Sequence, residues 1–86
     1  MEVLHTSDYK ALMSFLRDRR SALGLSQPTV GEFAGVTRAH ISQCELGQQK
    51  PSDEVLLRWA AALGVELRIH RPPTEYLAVA IEEAWP

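Results

Sequence analysis

The sequence predicts an all-α domain of four to five helices, followed by one short β-strand and a final short helix. Three observations carry that expectation. Apolar residues recur at helical spacing through most of the first 64 residues, each run bracketed by a capping side chain and a glycine. From Val65 to Arg71 the pattern switches to strict alternation of apolar and charged residues, the mark of a half-buried strand. The chain has 86 residues, 45% of them hydrophobic, which suits a single core with one appended element. Residues 1–64 therefore read as the helical domain and residues 65–86 as a strand and helix for dimerisation or partner contact.

Residues Met1 to Thr6 offer only Val3 and Leu4, which could pack on the domain or on a second copy. Ser7 or Asp8 is an N-cap for a first helix whose apolar stripe is Leu12, Met13, Leu16 and Leu23, with Phe15 off the stripe and Gly24 as the stop. Ser26 caps a second helix, and Pro28 is tolerated in its first turn because the amide it lacks would be unpaired there. Gly35 makes the turn into a third helix capped by Thr37. After the polar loop Leu46 to Pro51, Ser52 caps a fourth helix, with Asp53 and Glu54 at its positive end and Leu56, Trp59, Ala60 and Leu63 on its buried face. Pro72-Pro73 ends the strand. Thr74 caps the expected last helix, with Leu77, Ala80, Ile81, Ala84 and Trp85 on one face and Glu75, Glu82 and Glu83 outside.

Charge is distributed unevenly. The formal net charge is −2, which by itself argues against nucleic acid. From Lys10 to Pro51, however, six cations face three anions, a balance of +3, while the rest of the chain carries three cations and eight anions, a balance of −5. One cysteine, Cys44, cannot form an internal disulfide; no apolar run reaches the length of a membrane span; and the N-terminus lacks the features of a signal peptide. A cytoplasmic protein without membrane contact is expected. His5, His40 and His70 fall in different elements without metal-ligand spacing, and no nucleophile motif or glycine-rich phosphate loop occurs. Neither catalysis nor a cofactor is expected.

The stretch from Ser26 to Glu45 organises the chain. Val30, Gly31, Ala34, Val36, Ile41 and Cys44 face inward by their spacing, leaving Thr37, Arg38, Ala39, His40, Ser42 and Gln43 outside on the third helix. Slim and hydrogen-bonding side chains of this kind suit a helix that enters a major groove. The region from about Leu16 to Val65 resembles the lambda-repressor-like helix-turn-helix domain of the Cro/cI (Xre) family. The residues standing at its motif positions are Leu25, Ser26, Gln27, Val30, Gly31, Gly35, Val36, Thr37, Ile41, Ser42, Glu45, Gly47, Pro51, Ser52, Ala60, Leu63, Gly64 and Val65, without a gap. Gly31 and Cys44 depart from it, standing where the family prefers alanine and a larger aliphatic residue.

The resemblance implies that residues 1–64 bind double-stranded DNA. It places Arg38, Ala39 and Gln43 where base edges are met, with Ser42 and His40 at the margins, His40 toward the backbone. Arg38 suits guanine, Gln43 suits adenine, and the Ala39 methyl suits a thymine methyl. Gln27 and Thr37 match positions that contact phosphate, and Gln48, Gln49 and Lys50 lie where the following loop tracks the DNA backbone. Arg20 and Glu45 match a pair that holds the third helix against the first. The implied function is a sequence-specific transcriptional regulator, a repressor acting as a homodimer on an inverted repeat.

Because a lone strand leaves its edges unpaired, Val65, Leu67 and Ile69 are expected to form an intermolecular ribbon with a second copy. The strand and acidic tail also resemble what HipB-type antitoxins add to this fold. An antitoxin that contacts a toxin through residues 74–86 is therefore an alternative, as is a phage Cro-like repressor. A protein-interaction module that keeps the fold without DNA binding is the rival from another class.

Overall fold

The structure, a computed structural model, describes residues 1–81. In chain order it comprises β1 (Glu2–Thr6), α1 (Tyr9–Ala22), α2 (Gln27–Ala34), α3 (Arg38–Glu45), α4 (Asp53–Ala62), β2 (Val65–His70) and β3 (Glu75–Ala80). The four helices begin where their caps direct them. Asp8 accepts from the Lys10 amide, Ser26 from Thr29, Thr37 from His40 and Ser52 from Val55. Leu12, Met13, Leu16, Val30, Ala34, Ile41, Cys44, Leu56, Trp59, Ala60 and Leu63 fill the space between the helices, all essentially without solvent exposure.

The all-α expectation is corrected by a three-stranded antiparallel sheet of order β1-β3-β2. Residues expected to begin a last helix form β3, the central strand, in which Thr6 and Ile69 flank Tyr76, and Leu4 and Leu67 flank Ala78. The error has a physical source. Glu75 to Ala80 is too short a run to distinguish helical from strand periodicity, and Tyr76, Ala78 and Ala80 also satisfy a period of two. The turn after His70 returns the chain beside β2, and β1 offers a second edge, so the pairing available in the folded chain decides the outcome. The part of the expected helix at Glu82, Glu83, Ala84 and Trp85 lies outside the described residues. The amphipathic surface proposed for a toxin partner is thus absent from residues 75–80.

Alternation sorts the sheet into two faces. Val65, Leu67, Tyr76, Ala78 and Ala80 are buried beneath the helices, and Leu4 and Ile69 pack against them. Glu66, Arg68, His70, His5 and Leu77 face outward. β2 is therefore not a lone strand, since β3 occupies one of its edges within the same chain. Two arginines fasten the sheet to the helices. Arg19 donates from Nε to the Leu63 carbonyl at 2.9 Å and from Nη2 to the Ile81 carbonyl at 3.3 Å. Arg71 forms a forked pair with Asp53 at the start of α4, which holds the Asp53 carboxyl below its ordinary value and the guanidinium above its own.

Two backbone hydrogen bonds close the α2–α3 turn. The Gly31 carbonyl accepts from both Gly35 (2.8 Å) and Val36 (2.9 Å), and Gly35 takes the left-handed φ of 76° that this path requires. A Cβ on Gly31 would lie 2.7 Å from the Val36 carbonyl oxygen, a backbone atom that cannot rotate away. Gly31 is thus more than a tolerated departure from alanine. Gly31→Ala should destabilise the domain by about 1–2 kcal/mol in urea titration, because overpacking outweighs the roughly 1 kcal/mol gained in helix propensity. A more stable variant would show that the turn yields freely.

Candidate nucleic-acid interface

Helix α3 is held by its inner face and presents its outer one. Ile41 and Cys44 are fully buried, whereas Arg38, Ala39 and Gln43 are exposed and Ser42 is half-buried. Spacing places Ala39, Ser42 and Gln43 along one side of the helix, with Arg38 one turn before Ser42. Thr37 Oγ1 accepts from the His40 amide at 3.1 Å, which leaves the amides of Arg38 and Ala39 at the open positive end of the helix.

What fixes the angle of α3 is a buried polar cluster. Arg20 Nε donates to Glu45 Oε2 at 2.7 Å and Arg20 Nη2 to Glu45 Oε1 at 3.0 Å. The third nitrogen, Nη1, donates to the Leu25 carbonyl at 2.9 Å. Gln27 Nε2 completes the set with a 3.0 Å bond to Glu45 Oε1. Only 3% of the Glu45 side chain and 17% of that of Arg20 are exposed. Side chains from α1 and α2 thereby converge on one carboxylate of α3, and Arg20 ties in the α1–α2 connection through Leu25. Buried pairs of this sort do little for net stability, but breaking one leaves an uncompensated charge. Gln27 was expected at phosphate, yet its side-chain amide is committed to Glu45.

His40, another expected backbone contact, also has an internal arrangement. Its Nδ1 lies 3.2 Å from Gln49 Oε1 and its Nε2 lies 3.7 Å from Cys44 Sγ. The ring therefore joins α3 to the loop that follows. Burial, with a smaller contribution from the Glu45 charge, pushes the Cys44 thiol up from its ordinary value and keeps it protonated.

Gln48, Gln49 and Lys50 are exposed on that same loop. One residue that sequence reasoning missed supports it. Tyr9 donates its hydroxyl to the Gly47 carbonyl at 3.4 Å, and its ring lies beneath Lys50 Nζ at 5.6 Å. Arg58 likewise went unnoticed: its Nε donates to the Ala34 carbonyl at 3.0 Å beside the Gly35 turn, while Glu54 pairs with Nη1 at 2.9 Å. The only sequence signal for Arg58 was its position four residues after Glu54. Val65, Leu67 and Ile69 lie apart from this face, in β2, with their side chains directed into the domain.

Among the described residues, no group of three or more His, Cys, Asp or Glu side chains could hold a metal ion. No helix there is long and apolar enough to cross a membrane. The geometry is that of a rigid helix pair with one polar helix face turned outward.

Comparison with known proteins agrees with that geometry. A family model described as a helix-turn-helix domain matches residues 11–72. The chain is 38% identical over 56 residues to uncharacterised HTH-type transcriptional regulators from two strains of Mycobacterium tuberculosis, a match covering 65% of this chain and 40% of each relative. It thus spans about two fifths of the length of those curated relatives. An uncharacterised HTH-type transcriptional regulator of Methanothermobacter thermautotrophicus is 40% identical over 55 residues, covering 64% of this chain and 80% of that protein. Among solved structures, the restriction-modification controller protein C.AhdI from Aeromonas hydrophila superposes with a TM-score of 0.63 at 34% identity, covering 71% of this chain and 92% of that one. The P22 c2 repressor, solved in complex with a synthetic operator, gives a TM-score of 0.57 at 35% identity, covering 60% of this chain and 79% of that one. On the extent of the family match and the ungapped motif from Leu25 to Val65, the chain belongs to the helix-turn-helix domain family, of the Cro/cI (Xre) type.

Proposed function

We propose that this protein is a sequence-specific DNA-binding regulator that represses transcription by occupying an inverted-repeat operator as a dimer. The observation that carries this reading is the exposed face of α3, where Arg38, Ala39 and Gln43 project from a helix locked in place by Arg20 and Glu45. In it, Arg38 pairs with guanine, Gln43 with adenine, and Ala39 meets a thymine methyl, with Ser42 at the edge of the set. Thr37, His40, Gln48, Gln49, Lys50 and the first-turn amide of Gln27 follow the phosphates and fix register. The P22 c2 repressor, similar to this chain over 60% of its length, was solved in complex with a synthetic operator. The positive balance between Lys10 and Pro51 lies in the right part of the chain.

Selection from a random duplex library tests the reading. A preferred half-site should emerge, and binding to it should weaken steeply as salt rises. Recovery of no preferred sequence, with no salt-dependent retention on duplex DNA, would favour the protein-interaction module instead.

A further inference from the structure

The chain has nine lysines and arginines. Most are engaged within the domain, by carboxylates or, for Arg19, by two carbonyls. Among the described residues, Lys10, Arg38 and Lys50 are left without an anionic partner. All three border α3 or the loop that follows it. Arg38 opens the helix, Lys50 ends the loop, and the Lys10 stem lies on the loop between them, where a Cβ on Gly47 would stand 3.5 Å from Lys10 Cε.

For Lys50 this freedom needs a cause, because a carboxylate stands three residues away. Asp53 opens α4, and Lys50 is the second cation, after Arg71, whose charge holds that carboxyl below its ordinary value. An ammonium beside a carboxylate is drawn to it, and direct pairing would withdraw Lys50 from any phosphate. Instead Lys50 Nζ lies 5.6 Å from the centre of the Tyr9 ring. Both Asp53 oxygens are taken by Arg71, Oδ1 by Nη2 at 2.9 Å and Oδ2 by Nη1. A forked guanidinium fills both oxygens of a carboxylate at once. The two side chains are partly exposed, at 45% and 40%, and exposed pairs add little to stability. The consequence of the pair thus lies in the charge it cancels.

We propose that Arg71 is a positioning residue for DNA binding, which occupies Asp53 and so leaves the Lys50 ammonium to a backbone phosphate. The proposal deepens the functional reading above and rests on it for the phosphate. Arg71 itself touches no DNA in it. Because Arg71 lies in the turn between β2 and β3, the sheet does more than cover the helices. Its hairpin sets the charge of a loop on the binding face.

Gel-shift titration of the full chain on the selected duplex, over a range of salt, tests this. Arg71→Ala should lose roughly fivefold in affinity at about 0.15 M salt and lower the salt slope by about 0.9, the contribution of one phosphate. Asp53→Asn/Arg71→Ala should return to within about twofold of the parent, since no carboxylate is left to hold Lys50. With Lys50→Ala already present, Arg71→Ala should weaken binding by less than about twofold, because the contact it serves is gone. Unchanged affinity in Arg71→Ala would overturn the proposal. So would a loss that persists in the double variant or is equally large without Lys50, since Arg71 would then meet phosphate itself or act through the fold.

A measurement without DNA separates this proposal from the functional reading. Followed by NMR of the side-chain carboxyl, Lys50→Ala should raise the Asp53 titration further in Arg71→Ala than in the parent, because the lysine turns to the carboxylate once the guanidinium is gone. An equal or smaller rise would overturn the proposal. The expected rise in a protein that binds no duplex DNA would uphold the competition for Asp53 and sink the functional reading.

Discussion

Replacing Arg38 or Gln43 with alanine should cost about 1–3 kcal/mol each on the selected site, a loss of roughly five- to 150-fold in affinity, and should relax preference at separate base pairs. Both side chains are exposed and away from the core, so the fold should be unaffected. Lys50→Ala is the control. Its ammonium sits on the loop above Tyr9, so its loss should weaken binding to all duplexes alike and flatten the salt dependence. Gel-shift titration against the selected duplex and single-base variants of it measures each effect. If both substitutions leave specific affinity intact, α3 does not read the bases.

The second large effect is on stability. Arg20→Met removes the three hydrogen bonds that guanidinium makes to Glu45 and to the Leu25 carbonyl, leaving Glu45 buried with Gln27 as its remaining partner in the cluster. Urea unfolding should show a loss of about 3 kcal/mol, most of it the cost of an uncompensated buried carboxylate. Adding Glu45→Gln should recover a large part, because the charge that needed Arg20 is then gone. A loss below about 0.5 kcal/mol for Arg20→Met would place the pair among ordinary surface salt bridges. The cluster would then not be what sets the angle of α3.

The helices were legible because each is signed twice. Ser26, Thr37 and Ser52 mark starts by side-chain chemistry, and the inward residues repeat at helical spacing. The outward face of α3 follows from the same periodicity, since fixing Ile41 and Cys44 inside leaves Arg38, Ala39 and Gln43 outside. The sheet was half legible. β2 declared itself by alternation, but β1 and β3 are strands because of each other. Glu2 pairs with Ala80 and Thr6 with Tyr76, partners more than 60 residues apart, and no local pattern encodes such a meeting. Gly31 shows the same limit on a smaller scale. Its cost in helix propensity can be read from sequence, whereas the Val36 oxygen that requires it appears only once α2 and α3 are packed. Tyr9 and Arg58 act on backbone carbonyls distant in sequence, which leave no trace in residue identity.

The claim on which the rest depends is that α3 lies in the major groove with Arg38 on a guanine. Guanine N7 is accessible only there, so methylation at N7 tests it directly. On the selected duplex, N7 methylation of one guanine in each half-site should abolish binding by the parent protein and leave the residual binding of Arg38→Ala unchanged. Parent binding that tolerates N7 methylation throughout the site, yet is blocked by methylation at adenine N3 in the minor groove, would contradict it.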